Sequence, residues 1–311
     1  MSTEKRNENF MLKQSRYSKG KKNVKQYSKN NASKKSGSGK NSYNAYYKKN
    51  DDGFQPKSNG KSNYGKKKYT SKSKGYQKKN AQKPSIKIAF LGDLNEIGKN
   101  ITLVECENDI IIIDCGMAFP DGDMLGVDLV IPDFTYIEQN ADRVKGIILT
   151  HGHEDHIGGL PFLLSKVNVP IYGTPLTLGL VGNKLKEHSL YNQSQLNVIN
   201  AGQSIKLGCM KIDFIHVNHS IPDAVAFAIH TPGGTIVHTG DFKIDCTPIT
   251  GDMIDLSSFA RVGDEGVLAL LSESTNAERP GYTPTERTVS DSLDNLFKSA
   301  ENYRIIIATF A

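Results

Sequence analysis

Cysteine is scarce in this chain and long apolar runs are absent. Four cysteines, Cys106, Cys115, Cys209 and Cys246, occur among 311 residues, with no CxxC pair. Two disulfides are arithmetically possible, but nothing near Met1 resembles the apolar core of about 7–15 residues that a secretory signal needs. Reduced thiols in a cytoplasmic protein are therefore expected, the cysteines serving as small buried hydrophobes. Apolar stretches such as 110–113 are far too short to span a bilayer, which excludes a membrane helix. Histidine is missing from the first 84 residues, so all eight histidines fall in the remainder. No internal repeat is evident.

The net charge of +6 conceals two opposed regions. Residues 1–84 hold 24 Lys and Arg against 4 Asp and Glu, which leaves 15 against 29 in the rest: +20 beside −14. The basic region is built of Lys, Ser, Asn, Gly, Gln and Tyr with almost no aliphatic residues. It cannot bury enough apolar surface to offset the entropy of ordering, and is expected to be a disordered tail. Tyr17, Tyr27, Tyr43, Tyr46, Tyr47, Tyr64, Tyr69 and Tyr76 are spread among its lysines. Lysine neutralises phosphate and tyrosine stacks on unpaired bases, which suggests RNA or another single-stranded nucleic acid. A merely solubilising tail is the alternative, and an anionic membrane surface is disfavoured because no amphipathic face is present.

From about Pro84 onward, short apolar runs alternate with turn signals. Strands are expected at 86–91, 101–105, 110–114, 144–149, 195–199, 204–207, 211–216, 224–230, 235–238, 267–271 and 304–309. Helices are expected at 134–139, 158–166, 175–188 and 285–300. Two strand-rich halves with helices between them fit an α/β sandwich of sheets covered by helices.

One segment dominates. Thr150-His151-Gly152-His153-Glu154-Asp155-His156 places three histidines and an aspartate directly after a buried strand. His151 and His153 can point the same way from extended backbone and share one metal ion. Asp155 and His156, on the next turn, can serve a second. Imidazole suits zinc, and the mixed imidazole–carboxylate set also admits manganese. Two later strand ends carry further candidates, His219 and Asp241. A carboxylate has two oxygens, so Asp241 can bridge two ions roughly 3.5–4 Å apart. One ion would take His151, His153, His219 and Asp241; the other would take Asp155, His156 and Asp241, with a position left to fill. Such a pair lowers the pKa of a water and stabilises charge developing on phosphorus or carbon, which states hydrolysis without choosing the bond. Asp114 is placed to hydrogen-bond a liganding imidazole, and His238 is a second such supporting group. His188, His216 and His230 read as ordinary surface or core residues.

This series, His151-x-His153-x-Asp155-His156 followed by His219 and Asp241 and preceded by Asp114, is similar to the motifs of the metallo-β-lactamase fold. Stretches 95–100, 120–133, 150–160, 219–223 and 271–276 further resemble the bacterial ribonuclease J family of the β-CASP branch, over about residues 85–311. The resemblance implies an αββα sandwich and a two-metal ribonuclease, with 5′-to-3′ exonuclease action favouring a 5′-monophosphate and endonuclease activity besides. It implies roles in mRNA turnover and rRNA maturation, and a homo-oligomer or a pairing with a paralogue. On that basis His151, His153, Asp155, His156, His219 and Asp241 are the expected metal ligands, with Asp155 and Asp241 catalytic.

The expected organisation is a tail at 1–84, a metallo-β-lactamase domain at 85–285, and the start of a β-CASP domain at 286–311. The rest of that domain, with the last histidine of the second ion, is expected to be missing, so the sequence reads as truncated. Two other readings remain: a small-molecule hydrolase of the same fold, disfavoured by the 272–276 stretch and the basic tail, and a non-catalytic RNA-binding subunit.

Overall fold

A computed structural model describes residues 83–308 apart from Asp93. The expectation for the basic tail, including its tyrosines, lies outside these residues except at its last two positions. Eleven strands form two sheets among the described residues. The first contains β1 (Ile86–Phe90), β2 (Thr102–Cys106), β3 (Asp109–Ile113), β4 (Val144–Ile148), β5 (Ile171–Gly173) and β6 (Leu196–Val198), side by side in that order. β1, β2 and β3 are antiparallel neighbours, while β3 to β6 run parallel. The second contains β7 (Ser204–Leu207), β8 (Met210–His216), β9 (Val225–His230), β10 (Thr235–His238) and β11 (Ala269–Leu271), ordered β11-β10-β9-β8-β7. Only its β10–β11 pair is parallel.

Residue alternation along β3 explains the layering. Ile110 and Ile112 face outward, into a core shared with α1 (Thr135–Gln139), α3 (Leu160–Leu164) and α4 (Pro175–Glu187). Ile111 and Ile113 face the opposite way, against Phe214, Phe227 and Ile229 of the second sheet. The second sheet's far face, including Ala226 and Ala228, is covered by Ile254 and by Val262 of α5 (Leu256–Glu265). Helix, sheet, sheet, helix is the αββα sandwich. A strand buried on both faces reads as a continuous apolar run, which is why β3 is Asp-Ile-Ile-Ile-Ile. Each such isoleucine contributes about 1.5–3 kcal/mol by leaving water.

Three details depart from expectation. The helix expected at 158–166 is the shorter α3, and an unexpected one, α2 (Glu154–Ile157), precedes it across Gly158-Gly159. Side chains there have no room: a Cβ on Gly159 would lie 2.6 Å from the Gly116 carbonyl oxygen. Helix α5 was not expected, although Asp255 caps its start and Phe259 and Val262 lie on one core-facing side. The strand expected at 304–309 does not form at 304–308, where Ile305, Ile306 and Ile307 are exposed and no strand among the described residues supplies a ladder. The last helix is α6 (Glu286–Ser299). No helix of the described residues is long and apolar enough to cross a membrane.

Candidate metal centre

The candidate residues gather at one edge of the sandwich because four of them follow a strand end by one to three positions, and His153, Asp155 and His156 follow His151 at the start of α2. Asp114 follows β3, His151 follows β4, His219 follows β8 and Asp241 follows β10. Parallel pairing sets Ile113 beside Ile148, so Asp114 arrives next to Thr150. There its carboxylate accepts the Thr150 amide at 2.8 Å and the Thr150 hydroxyl at 2.7 Å. The Val225 amide donates to the Thr150 carbonyl at 2.9 Å, tying the second sheet to the same point. Gly152 lets the chain pass close beneath α4, since a Cβ there would lie 2.6 Å from Leu180 Cδ1.

Three imidazoles converge first. His153 Nδ1 lies 3.0 Å from His151 Nε2 and 3.2 Å from His219 Nε2. Burial, and then the neighbouring imidazoles, push the His151 pKa far below its ordinary value. Burial likewise lowers His153, and lowers His219 to about 4 against the pull of Asp241. Near neutral pH these rings are uncharged. Ring nitrogens facing one another at such distances have too few protons between them to satisfy every lone pair, whereas one cation at their centre satisfies all three. The donor set therefore fits a metal ion.

The second grouping shares Asp241. Its Oδ2 lies 3.6 Å from His219 Nε2 and 4.0 Å from His151 Nε2, while its Oδ1 lies 3.5 Å from His156 Nε2. The two oxygens of one carboxylate thus face two different sets of nitrogens. His156 is buried, and burial opposes its charged form. Asp114, 2.8 Å from Nδ1, and Asp241 outweigh that and raise its pKa well above the ordinary value. Burial also works against the charged form of Asp241, but His156, His219 and His153 hold its carboxyl below the usual range. A cation on His156 Nε2 must displace a proton, so its binding is coupled to pH.

Asp155 stands at the outer side, with Oδ2 3.6 Å from His156 Nε2. It lies outside both of the tight clusters, which are His151, His153 and His219, and His151, His156 and Asp241. Asn100 is the residue that sequence reasoning passed over. Its Nδ2 donates to the Asp155 carbonyl at 3.0 Å and to Asp155 Oδ2 at 3.3 Å, and lies 3.0 Å from His156 Nε2. The stretch 95–100 was conspicuous as a motif, but nothing in it identified one amide as reaching the centre. Glu273 was passed over too: its carboxylate accepts the Phe242 amide at 3.0 Å, bracing the residue after Asp241.

His238 does not touch the cluster directly; its Nδ1 accepts the Gly240 amide at 3.1 Å, which shapes the turn into Asp241, and burial lowers its pKa. Gly240 is required there, with φ +56° and Thr150 Cβ 3.0 Å from where its own Cβ would be. His188, His216 and His230 lie elsewhere, against Phe162, the Asp252 carbonyl and Asp213 respectively. Asp223 accepts the Leu176 amide at 3.4 Å, seating the loop that carries His219 on the start of α4. All four cysteines are free thiols, and burial raises the Cys115 pKa well above its ordinary value.

This fold and this convergence of histidines and aspartates at its strand ends are those of the metallo-beta-lactamase superfamily. The superfamily matches residues 94–282, and the chain belongs to it. Within it, the chain is similar to ribonuclease J 1 of Streptococcus pyogenes, at 48% identity over 226 residues, covering 73% of this chain and 40% of that protein. It is 46% identical over 235 residues to ribonuclease J2 of Bacillus subtilis, covering 76% of this chain and 42% of that protein. The chain thus spans about two-fifths of the length of these relatives. Among solved structures, a protein of unknown function from Enterococcus faecalis matches with TM-score 0.53 and 17% identity, over 70% of this chain and 58% of that one, and shares the fold. Membership in the superfamily implies divalent metal binding.

Proposed function

We propose that this chain carries the metal-binding half of a ribonuclease that hydrolyses RNA phosphodiester bonds, acting as a 5′-to-3′ exonuclease favouring a 5′-monophosphate and also as an endonuclease. The observation that carries this reading is the 46–48% identity to proteins named ribonuclease J over 226–235 residues. A small-molecule hydrolase or a non-catalytic subunit has no such support. The proposed substrate is RNA from decay and rRNA maturation pathways, the proposed setting is the cytoplasm, and the proposed assembly is a homo-oligomer or a pair with a paralogue. The domain limits proposed are 1–84, 85–285 and 286–311.

Two divalent ions, zinc by the donor chemistry and manganese as the alternative, are assigned to His151, His153, His219 and Asp241 and to Asp155, His156 and Asp241. When bound, such a pair polarises a phosphoryl oxygen and lowers the pKa of a water so that it can attack phosphorus. The chain's own residues do the rest. Asp241 holds both sets at a fixed spacing through its two oxygens. Asp114 accepts the proton on His156 Nδ1, which turns the Nε2 lone pair toward the centre. Asn100 fixes Asp155, leaving its carboxylate to orient the attacking water and accept its proton. The P–O bond to the leaving nucleotide breaks as the new P–O bond forms. The domain is acidic, so the Lys-rich residues 1–84 are assigned to raising the local concentration of RNA.

The test is cleavage of a 5′-monophosphorylated RNA by the purified chain with Mn²⁺ or Zn²⁺, beside Asp241→Ala. Cleavage that disappears in the variant supports the reading. Cleavage of equal rate in both would sink the assignment of Asp241. Removing residues 1–84 should weaken RNA binding and flatten its salt dependence while leaving the ions in place; an unchanged salt slope would refute the RNA-binding tail.

A further inference from the structure

We infer that Asp245 is a positioning residue for the metal centre: it clamps the segment that follows Asp241 to the start of α6, so that the seating of α6 sets the placement of the Asp241 carboxylate. The inference rests on the metal assignment above. Asp245 is 3% exposed, yet it is no ligand candidate and faces none of the six metal-site residues. Its Oδ1 accepts the Thr285 hydroxyl at 2.7 Å and the Thr247 amide at 3.0 Å, and its Oδ2 accepts the Glu286 amide at 2.9 Å. A buried carboxylate is costly unless its oxygens are filled, and here α6 fills most of them. Thr285 already caps α6 from within, its hydroxyl accepting the Arg287 amide at 3.4 Å. Asp245 is thus a second, tertiary acceptor at the same helix start.

The segment between Asp241 and Asp245 has little slack. The Phe242 amide is held by Glu273 at 3.0 Å. The Lys243 amide donates at 2.7 Å to the carbonyl of Asn218, the neighbour of His219, and the Lys243 ammonium pairs with Glu286 of α6. A movement of α6 is therefore passed to Asp241 through the Asp245 carboxylate, the Lys243 ammonium and the short chain between them, and to the His219 loop through the Lys243–Asn218 backbone hydrogen bond. Meanwhile α6 buries none of its own residues, and Leu293, Leu296 and Phe297 on its apolar side are exposed. Its start is where it is tied to the sandwich, and that tie runs through the metal-bearing loop.

The experiment is a Zn²⁺ titration of the metal-free chain against a chromophoric chelator, with amide exchange of Phe242 and Lys243 followed in the same samples. Parent, Asp245→Ala, Asp245→Asn and Leu293→Asn are compared. Asp245→Ala is expected to weaken Zn²⁺ binding about 10-fold or more, in the range seen when groups supporting metal ligands are lost. The Phe242 and Lys243 amides should exchange correspondingly faster. Asp245→Asn keeps one carbonyl acceptor and should restore part of the affinity, while Leu293→Asn, on the same helix but outside the clamp, should match the parent. A purely structural Asp245 would lower the melting temperature and leave Zn²⁺ affinity as in the parent; that result overturns the inference. If Asp245→Ala does not fold, Asp245→Asn and Lys243→Met decide by the same criterion. If the parent itself binds no Zn²⁺, the metal assignment fails, and amide exchange alone decides the clamp: parent-like exchange at Phe242 and Lys243 overturns it.

Discussion

His151 and His156 belong to one motif, and their ring centroids are 4.0 Å apart, yet their environments drive them to opposite protonation. His151 is buried among other imidazoles and is neutral. His156 is buried against Asp114 and Asp241 and retains its proton in the metal-free chain. The same side chain at the same depth responds to its nearest charge, so the partner decides whether desolvation prevails. One half of the centre is therefore a set of lone pairs ready for a cation, and the other half must exchange a proton for one. The two halves meet at Asp241, whose oxygens face one set each.

Changes that remove this contrast order themselves by size. Asp241→Ala takes a ligand from both halves and should cost at least about 1,000-fold in cleavage, about 4 kcal/mol of transition-state stabilisation; single-turnover kinetics on RNA measures it. Asp114→Asn removes the charged acceptor behind His156, the one metal-site imidazole that Asp114 touches directly. It should weaken one ion by about 10–100-fold and spare the other, visible as a split in a two-site titration. Equal weakening of both ions would mean the halves are not separately supported.

A change of pH acts on the contrast without mutation. His219 is depressed to about 4, so between about 6.5 and 4 the unfolded chain takes up a proton that the folded one refuses. The metal-free chain should lose stability as pH falls through that window, with His151 and His153 adding to the loss. His156 works the other way: its raised pKa contributes stability that is complete below about 6.5 and lost as pH rises through the folded value. His156→Gln should therefore lower stability by a constant amount below about pH 6.5 and abolish the His156-linked loss as pH rises above it, which urea denaturation at a series of pH values would register.

The smallest effect on the centre comes from a site remote from it. Glu105 is held at about 2, first by Lys87, then against burial by Arg143 and Tyr136. Glu105→Gln should cost about 1–3 kcal/mol of folding stability and leave both ions bound as before.

The sequence carried much of this arrangement because the site is local in its parts. Strand, turn and ligand are adjacent at His151, His219 and Asp241, and apolar runs mark the strands that deliver them. Asn100 was hidden because its role is a tertiary contact with Asp155, and an asparagine in a Gly-rich loop reads equally well as a turn residue. The break at Gly158-Gly159 was hidden because it depends on the chain at Gly116 passing beneath, which periodicity does not report. Helix α5 was missed although its capping Asp255 and its apolar side, Phe259 and Val262, stand in the sequence. At 304–308 the apolar pattern states only what would suit a strand; a strand also needs a neighbour.

Asp241 is proposed to serve two ions through one carboxylate. Native mass spectrometry of the Zn²⁺- or Mn²⁺-loaded chain, parent beside Asp241→Ala, tests it most directly. The expected result is two ions per parent chain and at most one in the variant. Two ions retained by Asp241→Ala would contradict the claim.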